Sequence, residues 1–479
     1  MANNQIEVIK TTKRNPMLSK EGFTFHYNKD GVEIRIWTCS KRVTDLKCPV
    51  RLHTTQNFNN PKLIRENGHH NHPPNPIEVD VKRVIGQMKD EASSSTAPPT
   101  QIIARNVRTL SSASQGALPL VQSMTRGIRN ARAKSIGSLA IPHRREDIDL
   151  PDSYQTCSNG EDFLLFDSGK ASDRLLIFTT HKNLEFLSRS DVWMADGTFK
   201  VAPSLFDQLF VIHGLRDKTC FPLVYCLTPN RITDTYTRVL SALKTLKPGL
   251  NPSSVMTDYE KAFIKAFHQA FPMADQKGCF FHFTQCVHRQ IQQRPDIFHL
   301  YSTDSEFALK IRHLVALAFV PPEEVVLSFE ELMEDEFFVQ NEALLLDFIG
   351  YFERTWLGPF NLRRTERIAP IFSITLWNCF HSVLEELPKT NNNCEGFHNA
   401  LASLLGASHP TIYKLVDGLK DKQTLTQLKM NQFNAGTVPP PNKKYQRAAK
   451  QLQAIVERYG DGEFSQVEYL RRIAYQIQA

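Results

Sequence analysis

The 479-residue sequence contains no apolar run that approaches the roughly 18 to 20 residues needed to span a bilayer. Its first residues, MANNQIEVIKTTKR, also lack the apolar core of a secretory signal. Both absences predict a protein that stays inside the cell and does not enter a membrane. The nine cysteines are an odd number scattered over a long chain, and this predicts reduced thiols or metal ligands rather than a disulfide framework.

Acidic residues are missing from one segment of the chain. Residues 101–145 contain eight basic residues and no acidic one. Residues 1–150 carry 23 Lys and Arg against 13 Asp and Glu, whereas residues 151–479 carry 34 against 37, so the net charge of +7 originates in the front part. Such asymmetry favours binding to a phosphate backbone through counterion release. A solvated basic linker would have the same composition.

Two cysteines and two histidines in residues 23–85 have the residue types of a structural zinc site. Cys39 and Cys48 are followed by His70 and His72 in GHHNHPP. Two thiolates and two imidazoles would fill all four positions of a tetrahedral zinc ion. The stretches VEIRIW and CPVRLHT between them are strand-like and predict a small β-rich finger. His69 is a competing ligand, and a chance grouping is the alternative to a metal site.

The composition changes from Asp90 to about Gln101, where EASSSTAPPTQ predicts a flexible linker.

A basic segment follows the linker, and Arg126, Arg129 and Arg132 recur in it at every third residue. This spacing places the three side chains along one side of a helix. The apolar residues on the other side are Leu118, Val121, Met124 and Ile128. The pattern predicts either a DNA-facing amphipathic helix or a helix that only packs.

Residues 160–300 alternate short apolar runs with turn signals and helical stretches. The order is DFLLF, RLLIFTT, VWMADGTFK, FDQLFVIHGL and FPLVYCLTP, then the helical TDTYTRVLSALKTL, the strand SSVMTD and the helical YEKAFIKAFHQAF. An antiparallel meander followed by a helical crossover to a parallel strand predicts an α/β fold with a ribonuclease-H-like mixed sheet. The crossover places the end of SSVMTD, and with it Asp258, beside the strand that carries Asp196.

Two carboxylates at neighbouring strand ends repel each other unless a cation lies between them. Asp196 and Asp258 are therefore predicted to hold Mg²⁺ or Mn²⁺, which take oxygen ligands. The best candidate for a third acid is Glu395 in KTNNNCEGFHN, in the first turn after a predicted asparagine cap. The alternatives are an ordinary turn at Asp196-Gly197 and a capping role for Glu395.

Cys279 and His282 in GCFFHFTQ have the spacing of a zinc half-site, but no second half follows closely. A supporting role at the edge of the sheet, with a buried strand cysteine, is the prediction. Helical patterns rich in Leu, Phe and Glu fill residues 300–385 and indicate a helical insertion.

These features divide the chain into four predicted segments. They are a zinc finger (1–89), a linker with a basic, DNA-contacting segment (90–150), an α/β domain (151–430) with a helical insertion at about 300–385, and a C-terminal helical tail (431–479).

The finger resembles the FLYWCH-type zinc fingers, which are implied DNA-binding or protein-binding modules. The residues that carry the resemblance are, in chain order, Phe25, Tyr27, Trp37, Cys39, Cys48, His70 and His72. The gap between Cys48 and His70, which contains NFNNPK, is long for that family.

Residues 160–410 resemble the Mutator-like element (MULE) transposases. The matching motifs, in the family's order, are DGTFK around Asp196, QLFVIHG, PLVYCLTP, TDYEKA around Asp258, GCFFHFTQ, and TNNNCEGFHN around Glu395. The resemblance implies a DDE transposase, in which water attacks a phosphodiester at the transposon end and the freed 3′-hydroxyl then attacks target DNA.

Residue roles also follow from this resemblance. It implies that Asp196, Asp258 and Glu395 hold the two catalytic metal ions, and that Cys279 and His282 are supporting residues. His398, one helical turn after Glu395, is predicted to face the same site. Double-stranded DNA is the implied partner, and a homodimer is left open.

Two other functions fit the same sequence. One is a domesticated zinc-finger DNA-binding regulator that uses the transposase domain as a scaffold. The other is a ribonuclease-H-like polynucleotidase that acts on RNA with the same acids. A nuclear localisation is expected only from the implied DNA substrate.

Overall fold

The computed structural model of the chain describes residues 6–10, 16–58, 60–95, 97–135, 141–437 and 443–477. The chain forms two compact units, Met1–Ile141 and Pro142–Ala479. Several parts of the predicted segments lie outside the described residues: 1–5, 11–15 and Asn59 of the finger, Thr96 of the linker, 136–140 of the basic segment, and 438–442 and 478–479 of the C-terminal tail.

The N-terminal unit begins with an antiparallel sheet in which each strand pairs with its neighbour in sequence. Its strands are β1 (Glu7–Ile9), β2 (Met17–Lys20), β3 (Phe23–Asp30), β4 (Arg35–Cys39), β5 (Arg51–Thr54) and β6 (Leu63–Asn67), with a 3-10 turn at Ser40–Val43. Trp37 is fully buried, and its indole N–H donates to Oγ1 of Thr54 at 2.9 Å. This sheet confirms the predicted β-rich finger.

Helices complete the N-terminal unit. They are α1 (Pro76–Ser94), α2 (Pro99–Val107), α3 (Ser112–Gly116) and α4 (Val121–Ser135). The side chain of Asn75 caps α1 by accepting the backbone N–H of Glu78. Met88 and Ala92 of α1 pack with Ile102 and Ile128 in one apolar core.

Most of the predicted flexible linker is therefore helical. The Ser- and Ala-rich residues 90–94 are the last turn of α1, and α2 begins at Pro99. Burial of Ala92 against the core outweighs the weak helix propensity of serine, because tertiary packing contributes more to helix stability than propensity does.

The second unit contains a mixed sheet of seven strands. They are β7 (Leu164–Asp167), β8 (Leu176–Phe178), β9 (Val192–Thr198), β10 (Gln208–Arg216), β11 (Thr219–Thr228), β12 (Ser254–Thr257) and β13 (Asp275–Gly278). Their order in the sheet is β13-β12-β9-β10-β11-β8-β7. β12 runs parallel to β9 and β13, and the other pairs are antiparallel.

One 3-10 turn and five helices surround this sheet. They are a 3-10 turn (Arg145–Asp147), α5 (Asp152–Gln155), α6 (His181–Ser188), α7 (Thr233–Leu246), α8 (Lys261–Ala270) and α9 (Phe280–Gln292). The side chains of α6, α7 and α8 share one apolar core with the sheet. The predicted meander, crossover helix and parallel strand are confirmed.

A helical region follows α9 and has its own apolar core. Its elements are α10 (Pro295–Thr303), α11 (Ser305–Ala316), a 3-10 turn (Leu317–Phe319), α12 (Val325–Met333), α13 (Glu336–Gln340), α14 (Glu342–Phe352), a π-helical turn (Glu353–Leu357), α15 (Ile374–Trp377) and α16 (Phe380–Leu384). The chain ends with α17 (Asn392–Leu405), α18 (Ile412–Asn434), α19 (Lys443–Gly460) and α20 (Gln466–Gln476). In the described part of the chain no helix has the length and apolar character to cross a membrane.

The fold class is confirmed as mixed α/β, with a β-rich finger first and a sheet with helices after it. The four segment boundaries drawn from the sequence remain predictions. Two local expectations differ from the structure. β9 continues through Asp196 and Gly197 to Thr198, because β10 pairs with it along this length. The strand β13 was not predicted, since its sequence DQKG has no apolar alternation.

Candidate functional site

The four predicted zinc ligands converge in the N-terminal unit. Cys39 Sγ lies 3.2 Å from His72 Nε2, and Cys48 Sγ lies 3.3 Å from His70 Nδ1. The two histidine nitrogens are 3.3 Å apart. All four ligand atoms lie within 4.8 Å of one another. Zinc bonds of about 2.3 Å to sulfur and about 2.0–2.1 Å to nitrogen place neighbouring ligands of a tetrahedron roughly 3.3–3.6 Å apart, so the set fits the ion.

Neighbouring groups orient the two imidazoles. Phe23 stacks on His70 with ring centroids 3.6 Å apart. The Nδ1 of His72 donates to the carbonyl of Pro73 at 3.0 Å, and its Nε2 faces the Sγ of Cys39. A hydrogen bond on the far nitrogen is how metal-binding histidines are commonly held. His69 is exposed and is not part of the cluster.

Burial raises the pKa of Cys39 to about 11, and the nearby Cys48 adds to the shift. Burial lowers the pKa of His70, with a further contribution from His72. Both effects disfavour charge on the free protein groups. A zinc ion would stabilise the thiolates and the neutral imidazoles together.

The three predicted acids come from three separate elements of the second unit. Asp196 is in β9, Asp258 directly follows β12, and Glu395 is in the first turn of α17. The parallel pairing of β12 with β9 brings the first two to one edge of the sheet. The structure therefore places Asp196 and Asp258 at the ends of neighbouring strands, as the crossover predicted.

Asp196 is only 7% exposed, and its Oδ1 accepts the backbone N–H of Gly197 at 2.9 Å. Burial raises its pKa to about 7, and repulsion from Asp258, Glu395 and Glu260 adds to the effect. The field of the other acids thus acts directly on this carboxyl group.

Asp258 is positioned by the residue that follows it. The Tyr259 ring packs against Trp356 and Phe372 of the helical region, at centroid distances of 5.0 and 5.1 Å. A Cβ at Gly278 would lie 2.5 Å from this ring, so only glycine leaves room for it. Burial raises the pKa of Asp258, while His282 acts in the opposite direction.

Histidines flank two of the acids. His282 Nε2 lies 3.9 Å from Glu395 Oε1, and His398 Nδ1 lies 3.5 Å from Asp196 Oδ2. Because burial lowers the pKa of His398 to about 4, its imidazole is neutral beside Asp196 at neutral pH. The sequence expectation that His398 faces the acids agrees with this placement.

Cys279 is buried, as predicted, but it caps α9 instead of lying in a strand. Its Sγ contacts Oδ1 of Asn391 at 3.0 Å. Asn391 occupies the N-cap position of α17 without a side-chain capping bond, because its side chain is engaged with Cys279. Cys279 therefore supports the helix that carries Glu395.

Glu260 is a further acid beside this site, and the sequence motifs did not predict it. Glu260 lies two residues after Asp258 in TDYEKA, and it contributes to the field on both Asp196 and Tyr236. Its proximity in sequence to Asp258 was the available signal, but the residue looked like the start of a helix.

The acid set has the oxygen donors that Mg²⁺ and Mn²⁺ prefer. A divalent cation among these acids would stabilise their ionised forms against the repulsion that raises the pKa of Asp196. The donor chemistry thus fits such an ion. Among the described residues, the four finger ligands are the one group of three or more His, Cys, Asp or Glu residues whose ligand atoms all lie within 4.8 Å of one another. The carboxylate oxygens of the three acids are therefore more widely spaced than the zinc ligands.

The three predicted DNA-contacting arginines do not share one environment. Arg126 and Arg129 are exposed on α4. The Arg132 guanidinium is partly buried and donates to the carbonyls of Ala92, Ser95 and Ala97 at 3.4, 2.8 and 2.8 Å. Arg132 thus holds the end of α1 in place.

Comparison with known proteins supports both domains. Residues 192–286 match the family described as the MULE transposase domain, and residues 8–72 match the FLYWCH zinc finger domain. The first match includes Asp196 and Asp258 but ends before Glu395.

No curated protein matches the chain. Four chains of solved structures match. One is described as "Drosophila P element transposase strand transfer complex", with 11% sequence identity, 82% of this chain and 92% of that chain covered, and a TM-score of 0.22, which is too low to support an argument about the fold. The two domain matches support a DNA-binding, transposase-like protein. The chain carries an N-terminal FLYWCH zinc finger domain and a MULE transposase domain, as its motifs predicted.

Proposed function

We propose that the chain is a metal-dependent DDE-type transposase-like enzyme that cleaves a phosphodiester at a DNA end and joins the freed strand to target DNA. The observation that carries the proposal is that Asp196, Asp258 and Glu395 come from three separate elements, and that repulsion from Asp258 and Glu395 contributes to the raised pKa of the buried Asp196. Each acid belongs to a motif of the resemblance, and two of them lie in the matched MULE domain.

The protein residues have separate roles in this proposal. Asp196, Asp258 and Glu395 would hold the divalent ions. When bound, Mg²⁺ or Mn²⁺ supplies Lewis acidity, lowers the pKa of water and balances charge on the leaving oxygen. The neutral imidazole of His398 orients Asp196, and His282 lies beside Glu395 to orient it. No side-chain nucleophile is required.

The N-terminal unit supplies DNA binding. Arg126 and Arg129 make no ion pair within the described part of the chain, so both are free to contact phosphates. Lys41 of the finger is paired with Glu78, whereas Arg42 is exposed. Because the proposed substrate is DNA, we propose that the protein acts in the nucleus.

A nicking assay tests the catalytic part. The purified zinc-loaded chain is incubated with a labelled DNA end and Mg²⁺, and product is followed by gel. We expect Asp196→Asn to abolish cleavage while DNA binding is retained, because the amide cannot replace the carboxylate charge.

Asp191→Asn is the matched control, because Asp191 is exposed just before the other end of β9. Its cleavage rate should equal that of the wild type. Equal cleavage by the Asp196→Asn and wild-type proteins would refute the assigned site. DNA binding without any cleavage by the wild type would favour a domesticated DNA-binding regulator, and preferred cleavage of RNA in a competition assay would favour the polynucleotidase.

A further inference from the structure

A fourth carboxylate, Glu260, enters the acid site from the loop after β12. Resting on the proposed function, we infer that Glu260 helps to hold the divalent cation, and that Tyr236 and Gln208 are positioning residues that fix its carboxylate. The sequence motifs predict no role for any of these three residues.

A chain of hydrogen bonds leads from the interior to Glu260. The hydroxyl of Tyr236, in α7, donates to Glu260 Oε2 at 2.8 Å. Gln208 Nε2, in β10, donates to the same hydroxyl oxygen at 2.5 Å. The Tyr236 hydroxyl therefore donates its hydrogen bond to the Glu260 carboxylate, and its oxygen accepts one from the Gln208 amide.

This polar chain is buried in apolar surroundings. Tyr236 is 0% exposed and Gln208 is 1% exposed. The Tyr236 ring contacts Phe210 and Phe263 at centroid distances of 5.1 and 5.4 Å. A phenylalanine would supply the same packing without placing a hydroxyl among aromatic rings. Since a buried polar group is costly unless it is paired, the hydroxyl indicates a role at Glu260.

The chain of bonds also reaches the strand of Asp196. A Cβ at Gly197 would lie 2.1 Å from Gln208 Oε1, so the glycine leaves the space that this side chain occupies. Gln208 thus packs directly against the residue after Asp196. This contact connects β9, which carries one acid, with the loop that carries Asp258 and Glu260.

Glu260 remains available to a cation. Within the described residues it makes no ion pair shorter than 4 Å, and the nearby Arg231 is paired with Asp207. One of its oxygens accepts from Tyr236, which leaves the second oxygen for another ligand. A carboxylate held by an outer hydrogen bond is a common arrangement in metal sites.

Binding of Mn²⁺ to the full zinc-loaded chain tests the inference without relying on activity. Free Mn²⁺ is measured by electron paramagnetic resonance for the wild type, Tyr236→Phe and Glu260→Gln. We expect Tyr236→Phe to bind Mn²⁺ roughly tenfold or more weakly, as is typical when a hydrogen-bond partner of a metal ligand is lost, and Glu260→Gln to bind it at least as weakly. Raising the Mn²⁺ concentration should restore the cleavage rate of Tyr236→Phe.

Tyr225→Phe is the matched control, because Tyr225 is a fully buried tyrosine of β11 whose hydroxyl donates to the Pro222 carbonyl. It should bind Mn²⁺ as the wild type does. If Tyr236→Phe proves poorly folded by thermal unfolding, Glu260→Gln decides alone, since Glu260 is only partly buried.

The inference is overturned if both variants bind Mn²⁺ with wild-type affinity, or if Tyr225→Phe loses as much Mn²⁺ affinity as they do. The nicking assay then still tests the proposed function separately. Weaker binding in the two variants, together with a wild type that binds Mn²⁺ but never cuts DNA, supports the inference and refutes the proposed function.

Discussion

Cys279 Sγ lies 3.0 Å from Asn391 Oδ1, although the two residues are 112 positions apart in the chain. The backbone N–H of Phe280 also donates to the carbonyl of Lys389 at 2.8 Å. These contacts fix the start of α17 against the turn between β13 and α9. Glu395 is one turn further along, so its position relative to Asp196 depends on them.

Cys279→Ala is expected to lower the cleavage rate more than its effect on stability explains, because the start of α17 loses a side-chain contact. Hydrogen exchange of residues 389–396 should become faster. Cys226→Ala is the control, since Cys226 is a buried cysteine of β11. Both changes should cost about 0.5–3 kcal/mol in stability. Equal cleavage rates for the two variants would contradict the supporting role of Cys279.

Cys48→Ser should remove zinc from the finger and unfold its sheet, because one of four ligands of a closed site is lost. Zinc content by mass spectrometry and circular dichroism of the purified chain measure the two effects. His69→Ala should leave both unchanged, since the exposed His69 is outside the cluster. Loss of zinc in the His69 variant instead would show that the ligand set is wrong.

Replacing Arg126 and Arg129 by alanine should weaken DNA binding at all sequences. If each contacts a phosphate, the slope of log K against log salt should fall by about 1 per arginine. Binding is measured by fluorescence anisotropy at several salt concentrations. Arg132→Ala should mainly lower the melting temperature, because this residue holds three backbone carbonyls. An unchanged salt slope in the double variant would exclude phosphate contact by α4.

His313 should make the stability of the second unit depend on pH. It is 1% exposed in α11, and burial lowers its pKa to about 4, with Lys310 and Arg471 acting in the same direction and Asp335 against them. Its folded pKa is below the unfolded value of about 6.5, so the unfolded chain binds the proton first. Stability from the neutral imidazole is complete above pH 6.5 and is lost as the pH falls toward 4, by roughly 2–3 kcal/mol.

His313→Leu should remove this part of the pH dependence. Neither ring nitrogen of His313 has a hydrogen-bond partner among the described residues, so the variant should be at least as stable at pH 7. Chemical denaturation at pH 7 and pH 4.5 gives the comparison with the wild type, and the exposed His268→Gln serves as the control. If His313→Leu and the wild type lose the same stability between pH 7 and pH 4.5, the pH dependence does not come from His313.

The sequence predicted best the helices, strands and zinc ligands that are marked by a local pattern of residue types. The helix TDTYTRVLSALKTL coincides with α7, and the meander appears in the predicted order. The zinc ligands were identified because thiols and imidazoles at such spacing have few other common functions. Local composition was misleading at residues 90–94, where Ser and Ala form the last turn of a packed helix.

The sequence by itself determined which residues could carry charge or bind metal, because residue type and motif order are properties of the chain. Only the tertiary structure decided how these residues act together. The parallel pairing of β12 with β9 brings Asp258 to the strand end that carries Asp196, and the Tyr236 hydroxyl donates to the partly buried Glu260. Gly197 looked like a turn residue, but packing against Gln208 is what requires it. Such contacts join residues distant in sequence, and no local pattern encodes them.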